Sequence, residues 1–175
     1  MSFPPGFASM TPETSTPPNS QSSPLLSELQ ATLEREIPMS AQMGIRVYKG
    51  DADGLVMRLP LSPNRNHQQT AFAGSLNALC TIAGWSSVYL LLKELGRRGN
   101  IVIRRSSIKY QEPVTSSEIY ARCHPVHPDA RQYFLEMLDD KGQAKLDLTV
   151  EIAGKEGPAV LFGGSYVVLP NGQAG

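Results

Sequence analysis

Gln68-Gln69-Thr70-Ala71-Phe72-Ala73-Gly74-Ser75-Leu76-Asn77-Ala78-Leu79-Cys80-Thr81-Ile82-Ala83-Gly84-Trp85-Ser86-Ser87-Val88-Tyr89-Leu90-Leu91-Leu92 contains no charged residue. Placed on a helical wheel, Leu76, Leu79, Ile82, Ala83, Val88, Leu91 and Leu92 point in every direction, and Ala78, Cys80, Trp85, Tyr89 and Leu90 fill the gaps. A helix that is apolar on all sides must be covered on all sides. Its end is marked by Lys93, Arg97 and Arg98, which suit the negative end of the helix dipole, with Gly96 and Gly99 available as caps. A stretch of about 20 apolar residues also meets the length of a lipid span. Ser75, Asn77, Thr81, Ser86 and Ser87 within it, together with Gly74 and Gly84, favour a cover of protein instead.

The flanking segments supply that cover. Upstream, Leu26, Leu29, Leu33 and Ile37 form one stripe of a helix over Leu25–Ile37, which Pro38 stops. Ile45–Tyr48, the turn Gly50-Asp51-Ala52-Asp53-Gly54 and the alternating Leu55, Met57, Leu59 and Leu61 read as a hairpin. Downstream everything reads as strand. Ile101–Tyr110 is one, its pattern blurred by Arg104 and Arg105. Ile119, Ala121 and Cys123 alternate in a second, and Tyr133, Leu135 and Met137 in a third that ends in the turn Asp139-Asp140-Lys141-Gly142. Leu146, Leu148, Val150 and Ile152 give the cleanest period-2 signal, and Pro158–Leu169 is apolar on both faces except at Gly163-Gly164-Ser165, where Gly-Gly suggests a bulge or a close backbone approach. The expected fold is α+β: one antiparallel sheet wrapped around one long apolar helix, completed by a dimer.

The 175 residues carry sixteen basic and sixteen acidic side chains, for a formal net charge of zero. No single-sign patch suits a nucleic acid or an anionic membrane. Cys80 and Cys123 lie in apolar stretches and make no disulfide framework, which points to a reducing cytoplasm. Residues 1–24, rich in Pro, Ser and Thr, are expected to be a disordered leader, 25–170 the folded domain, and 171–175 a tail.

The run from Asn64-Arg65-Asn66-His67 through Phe72-Ala73-Gly74-Ser75 to Trp85 resembles the hotdog thioesterase superfamily, most closely the thioesterase branch related to the C-terminal domain of YiiD. In that branch a short Asn/His loop leads through Phe-x-Gly-Ser into an apolar helix ending near a Trp. The resemblance implies a hotdog fold in which two subunits join their sheets, as a homodimer or a dimer of dimers. It further implies an acyl-CoA or acyl-carrier-protein thioester bound at the subunit interface, with no cofactor. The superfamily also holds dehydratases and non-catalytic proteins.

Thioester hydrolysis needs a polarised carbonyl, an activated water and a slot for the acyl chain. Backbone N–H groups near Ala73 and Gly74 would be free at the helix start, where the dipole favours a developing oxyanion. Gly74 either lets the ligand approach the backbone or lets the helix pack tightly. His67 is a candidate base and Asn66 a candidate holder of water or carbonyl; both could instead make local turn hydrogen bonds. Phe72, Ala73 and Ser75 are expected on the substrate side of the junction. Many relatives carry a helical Asp or Glu after this glycine, but here no carboxylate precedes Glu94, and Thr81 takes the place of the Asp. A hydroxyl can position water but cannot accept a proton near neutrality. Asn77, one turn earlier, could help Thr81 hold that water, or the pair could satisfy one another. Arg104 and Arg105 are candidates for the phosphates of CoA or a pantetheine arm. His124-Pro125-Val126-His127 makes no metal site, and no Gly-x-Ser-x-Gly elbow is present. Three functions follow: thioester hydrolysis, non-catalytic acyl-CoA or acyl-carrier binding, and, last, hydration or dehydration of an acyl thioester.

Overall fold

Apolar periodicity and helix-stop residues set the first elements of the chain. In a computed structural model, which describes residues 23–170, helix α1 spans Pro24–Glu36 and buries Leu29 and Leu33 completely. Pro38 ends α1 as expected. It also opens a short helix, α2 (Pro38–Met43), because proline is well placed in a first turn where its missing N–H has no acceptor to lose. Strands β1 (Arg46–Asp51) and β2 (Gly54–Pro60) make the expected hairpin. A single 3-10 turn, Ser62–Asn64, leads into a loop and then into α3 (Ala73–Glu94). After it come β3 (Asn100–Tyr110), β4 (Glu118–Cys123), α4 (Pro128–Lys141), β5 (Ala144–Ala153) and β6 (Pro158–Leu169).

The strands form one six-stranded antiparallel sheet in the order β1-β2-β4-β5-β6-β3. Its inner face curls over α3, which packs on β2, β3, β4, β5 and β6. Leu79, Cys80, Ala83 and Val88 of α3 are wholly buried against Met57, Val150, Phe162 and Tyr166. Each such aliphatic or aromatic side chain contributes about 1.5–3 kcal/mol by leaving water. At Gly84 a sheet side chain packs directly on the helix backbone. Tyr166 donates its hydroxyl to the Thr81 carbonyl at 2.8 Å, and a Cβ on Gly84 would overlap the Tyr166 ring and oxygen. The helix closes on a left-handed Gly96, with the Arg97 amide bonded to the Leu92 carbonyl and the Gly96 amide to that of Lys93.

Three expectations are corrected. Tyr133–Met137 is not a strand but the middle of α4. His127 caps that helix by accepting the Asp129 amide at 3.3 Å, and Pro128 takes the first position. Phe134, Met137 and Leu138 turn one helical face to the core while Tyr133 is exposed, so the apparent alternation came from two different faces. The supposed hairpin turn at Asp139–Gly142 is the last turn of α4, ended by left-handed Gly142. The bulge expected at Gly163–Ser165 lies on the neighbouring strand: the β3–β6 register shifts between Ile103 and Arg105, which leaves Arg104 as the extra residue. The expected leader falls outside the described residues except for Ser23 and Pro24, and the tail lies wholly outside them.

Candidate active site

The loop before α3 is built from backbone outward. Asn64 is buried, and its Nδ2 donates to the Met43 and Pro60 carbonyls at 2.8 Å each. Its own carbonyl accepts the Phe72 amide at 2.7 Å, while the Ala71 amide donates to Val114 O. Asn66 then shapes the tip. Its Oδ1 accepts the amides of Gln68 (2.8 Å) and Thr70 (3.2 Å), and its Nδ2 donates to Thr70 Oγ1 (2.9 Å) and Ala71 O (3.4 Å). Gln69 is held at φ +64° within this turn. Asn66 thus spends its side chain on the loop, and His67 projects from the tip as an exposed residue.

The loop delivers Phe72 in an extended conformation (φ −67°, ψ 129°) as the N-cap of α3. The amides of Ser75 and Leu76 fold back onto Phe72 O, no side chain caps the helix, and the amides of Ala73 and Gly74 have no acceptor among the described residues. Phe72, Ala73 and Gly74 are exposed, with the Phe72 ring lying over Gly74. Two N–H groups without a partner among the described residues, on exposed residues at the positive end of a 22-residue helix, make an anion cradle. Ser75 is buried one residue further on. From Gly74 a half-buried stripe runs along α3 through Asn77, Ala78, Thr81 and Trp85. Asn77 Oδ1 on that stripe is buried without a hydrogen-bond partner among the described residues. Thr81 lends its carbonyl to Tyr166.

Sequence reasoning missed Asn64 and Tyr110. The Tyr110 hydroxyl, on the last residue of edge strand β3, donates to Ala73 O at 3.0 Å and pins the strand end to the helix start. Partial burial, then the nearby Cys80 thiol, pushes its pKa above the ordinary phenol value. A polar aromatic at a strand end carries no sequence signal for this contact. Cys80 itself is no nucleophile, since burial raises its thiol to about 12.

The arginine pair is not at this junction. Arg105 stands opposite Ser165, which pairs in turn with Asp147 on the outer face of the sheet, so within one subunit the sheet separates it from the helix start. There it edges a polar groove of about 440 Å³ with Ser107, Asp147, Thr149 and Ser165. Arg104 is exposed in the bulge. The two remaining histidines serve locally: His124 meets Glu151 at 3.2 Å, and His127 caps α4.

A long apolar helix wrapped by an antiparallel sheet, with free amides at the helix start, defines the hotdog-fold thioesterase class. Within it, the chain belongs to the family described as "Putative thioesterase (yiiD_Cterm)", whose profile matches residues 26–170. Among solved structures, a protein of unknown function from Chlorobaculum tepidum TLS is 31% identical, with 84% of this chain and 95% of that one covered at a TM-score of 0.80. A "putative thioesterase" from Shewanella oneidensis is 32% identical over 83% of this chain and 98% of its own, at 0.69. A thioesterase from Haemophilus influenzae shares the fold at 15% identity and a TM-score of 0.64, covering 86% of this chain and 94% of that one.

Proposed function

We propose that this protein hydrolyses acyl thioesters of CoA or of an acyl carrier protein at the start of α3. The observation that carries the reading is the pair of unpartnered, exposed amides of Ala73 and Gly74. They can donate to the thioester carbonyl oxygen and stabilise the oxyanion that forms when water adds to the carbonyl carbon. Phe72 and Ser75 flank the bound carbonyl, and Asn77 and Thr81 on the adjoining stripe orient the water. His67 is the base, as no carboxylate stands on α3 before Glu94, which pairs with Arg131 at the far end. Asn66 acts by holding the loop that carries His67. Arg104 and Arg105 serve the phosphates of the carrier.

The working unit in this reading is a homodimer joined along β3, or two such dimers. That strand is an edge in one subunit, eleven residues long, with Val102, Ile103 and Tyr110 exposed. A long unpaired edge with apolar residues at both ends, around Arg104-Arg105-Ser106-Ser107, is a template for a second strand. The half-buried stripe on α3 adjoins the same edge and would be covered with it. Two free buried thiols fit a cytoplasmic location.

Free-thiol release from acyl-CoAs of increasing length, and from an acyl carrier protein, tests the activity. Turnover by the wild type, lost in His67→Ala, supports the assignment. Tight binding without turnover on every substrate would favour an acyl-carrier binding module, the reading that the missing helical carboxylate motivates.

A further inference from the structure

The two amides at the start of α3 belong to two peptide groups, and the carbonyl oxygen of each group is engaged as well. The Ala73 N–H shares a peptide with Phe72 O, which accepts the amides of Ser75 at 3.0 Å and Leu76 at 3.1 Å. The Gly74 N–H shares a peptide with Ala73 O. Inside an α-helix that oxygen takes the amide four residues on, here that of Asn77. It also accepts the Tyr110 hydroxyl at 3.0 Å. A donor on a peptide oxygen draws electron density toward it and leaves the N–H of the same peptide more positive, so linked hydrogen bonds strengthen one another. The other donors are backbone amides of α3 itself. Tyr110 alone is a side chain, brought from another element.

Its reach is fixed by the sheet. Tyr110 ends β3 opposite the wholly buried Val160 of β6, and the next amide, that of Gln111, donates to Ala159 O at 2.8 Å. Partial burial holds the phenol above its ordinary pKa, so it keeps its proton and donates at neutral pH. We propose that Tyr110 is a positioning residue that polarises the Ala73–Gly74 peptide, making the Gly74 N–H a stronger donor to the thioester oxygen than helix geometry alone would. The hydroxyl acts through that peptide and touches no substrate; its effect on turnover rests on the thioester reading above. Strengthening of about 10–30% per bond, applied to the about 10²–10³-fold that one oxyanion donor contributes, gives roughly two- to eightfold in kcat.

The peptide itself can be observed without substrate. With heavy carbon in alanine carbonyls and heavy nitrogen in glycine, only Ala-Gly pairs give a linked magnetic-resonance signal, and the chain has Ala73-Gly74, Ala83-Gly84, Ala153-Gly154 and Ala174-Gly175. Tyr110→Phe should move the Gly74 amide proton to higher field and leave the Gly84 and Gly154 signals in place. A ring-fluorinated tyrosine at position 110, a stronger donor while it stays protonated, should move the Gly74 proton the other way. One shared Gly74 shift in all three proteins overturns the polarisation.

In kinetics, Tyr110→Phe should lower kcat roughly two- to eightfold with KM unchanged, and the fluorinated protein should match or exceed the wild type. A loss confined to KM or to folding stability would make Tyr110 a structural strap only, and a wild-type kcat would leave it no part in turnover; either result contradicts the proposal. If the wild type hydrolyses no thioester, the hydrolase reading fails, while the order of the Gly74 shifts still decides whether Tyr110 polarises this peptide.

Discussion

Asn64 and Gly84 each hold one side of the candidate site at the scale of a single residue. Asn64→Ala would strip two carbonyls, Met43 O and Pro60 O, of a buried donor. The expected cost is about 1–3 kcal/mol of unfolding free energy, with a larger proportional loss of activity than of folded protein, because the side-chain anchor also positions the Asn64 backbone carbonyl that holds the Phe72 amide. Urea unfolding followed by kinetics on the folded fraction measures both. Gly84→Ala forces Tyr166 off the helix and off Thr81 O, for a loss of about 1–3 kcal/mol; a melting temperature unchanged from wild type would contradict that contact. The thiols give a pH prediction. Burial raises Cys80 to about 12 and Cys123 to about 11. A group whose folded pKa is raised contributes stability that is intact below its unfolded value, near 8.5, and is lost as pH climbs toward the folded values. Stability should therefore fall between about pH 8.5 and 12, and a thiol reagent should label neither cysteine until the protein unfolds.

At the scale of elements, most of the fold was legible because burial writes itself into the sequence. α3 could be found from its lack of charge, β5 from strict alternation, and α1 from its Leu29–Leu33 stripe. α4 was missed because Tyr133, Leu135 and Met137 mimic a strand over a short window. The helical signal sat outside it, in the His127-Pro128 start and the Gly142 stop. Substituting Gly142 by Ala should cost about 1 kcal/mol, since φ is +65° there; a melting temperature unchanged from wild type would contradict that left-handed cap. The candidate site was legible only as a chain segment. Phe72 through Ser75 could be named from their order, but the Tyr110 contact and the sheet between Arg105 and the helix start depend on pairings distant in sequence.

For the whole molecule, one subunit leaves a long edge strand and a half-covered central helix, and a second copy would cover both. Sedimentation should find at least a dimer, and Ile103→Asp, on that edge, should shift it to monomer with loss of turnover; a fully active monomer would contradict the dimer as the working unit. The central claim is that the amides at the start of α3 bind the thioester oxygen. Ala73→Pro removes one of those N–H groups and little else: proline suits a first helical position, Phe72 before it is already extended, and the Ala73 amide has no acceptor among the described residues. The decisive measurement is kcat of Ala73→Pro on the best acyl-CoA substrate, beside its unfolding free energy. Stability should stay within about 0.5 kcal/mol of wild type and kcat should fall by about a hundredfold or more. A folded, dimeric Ala73→Pro protein with wild-type kcat would contradict it.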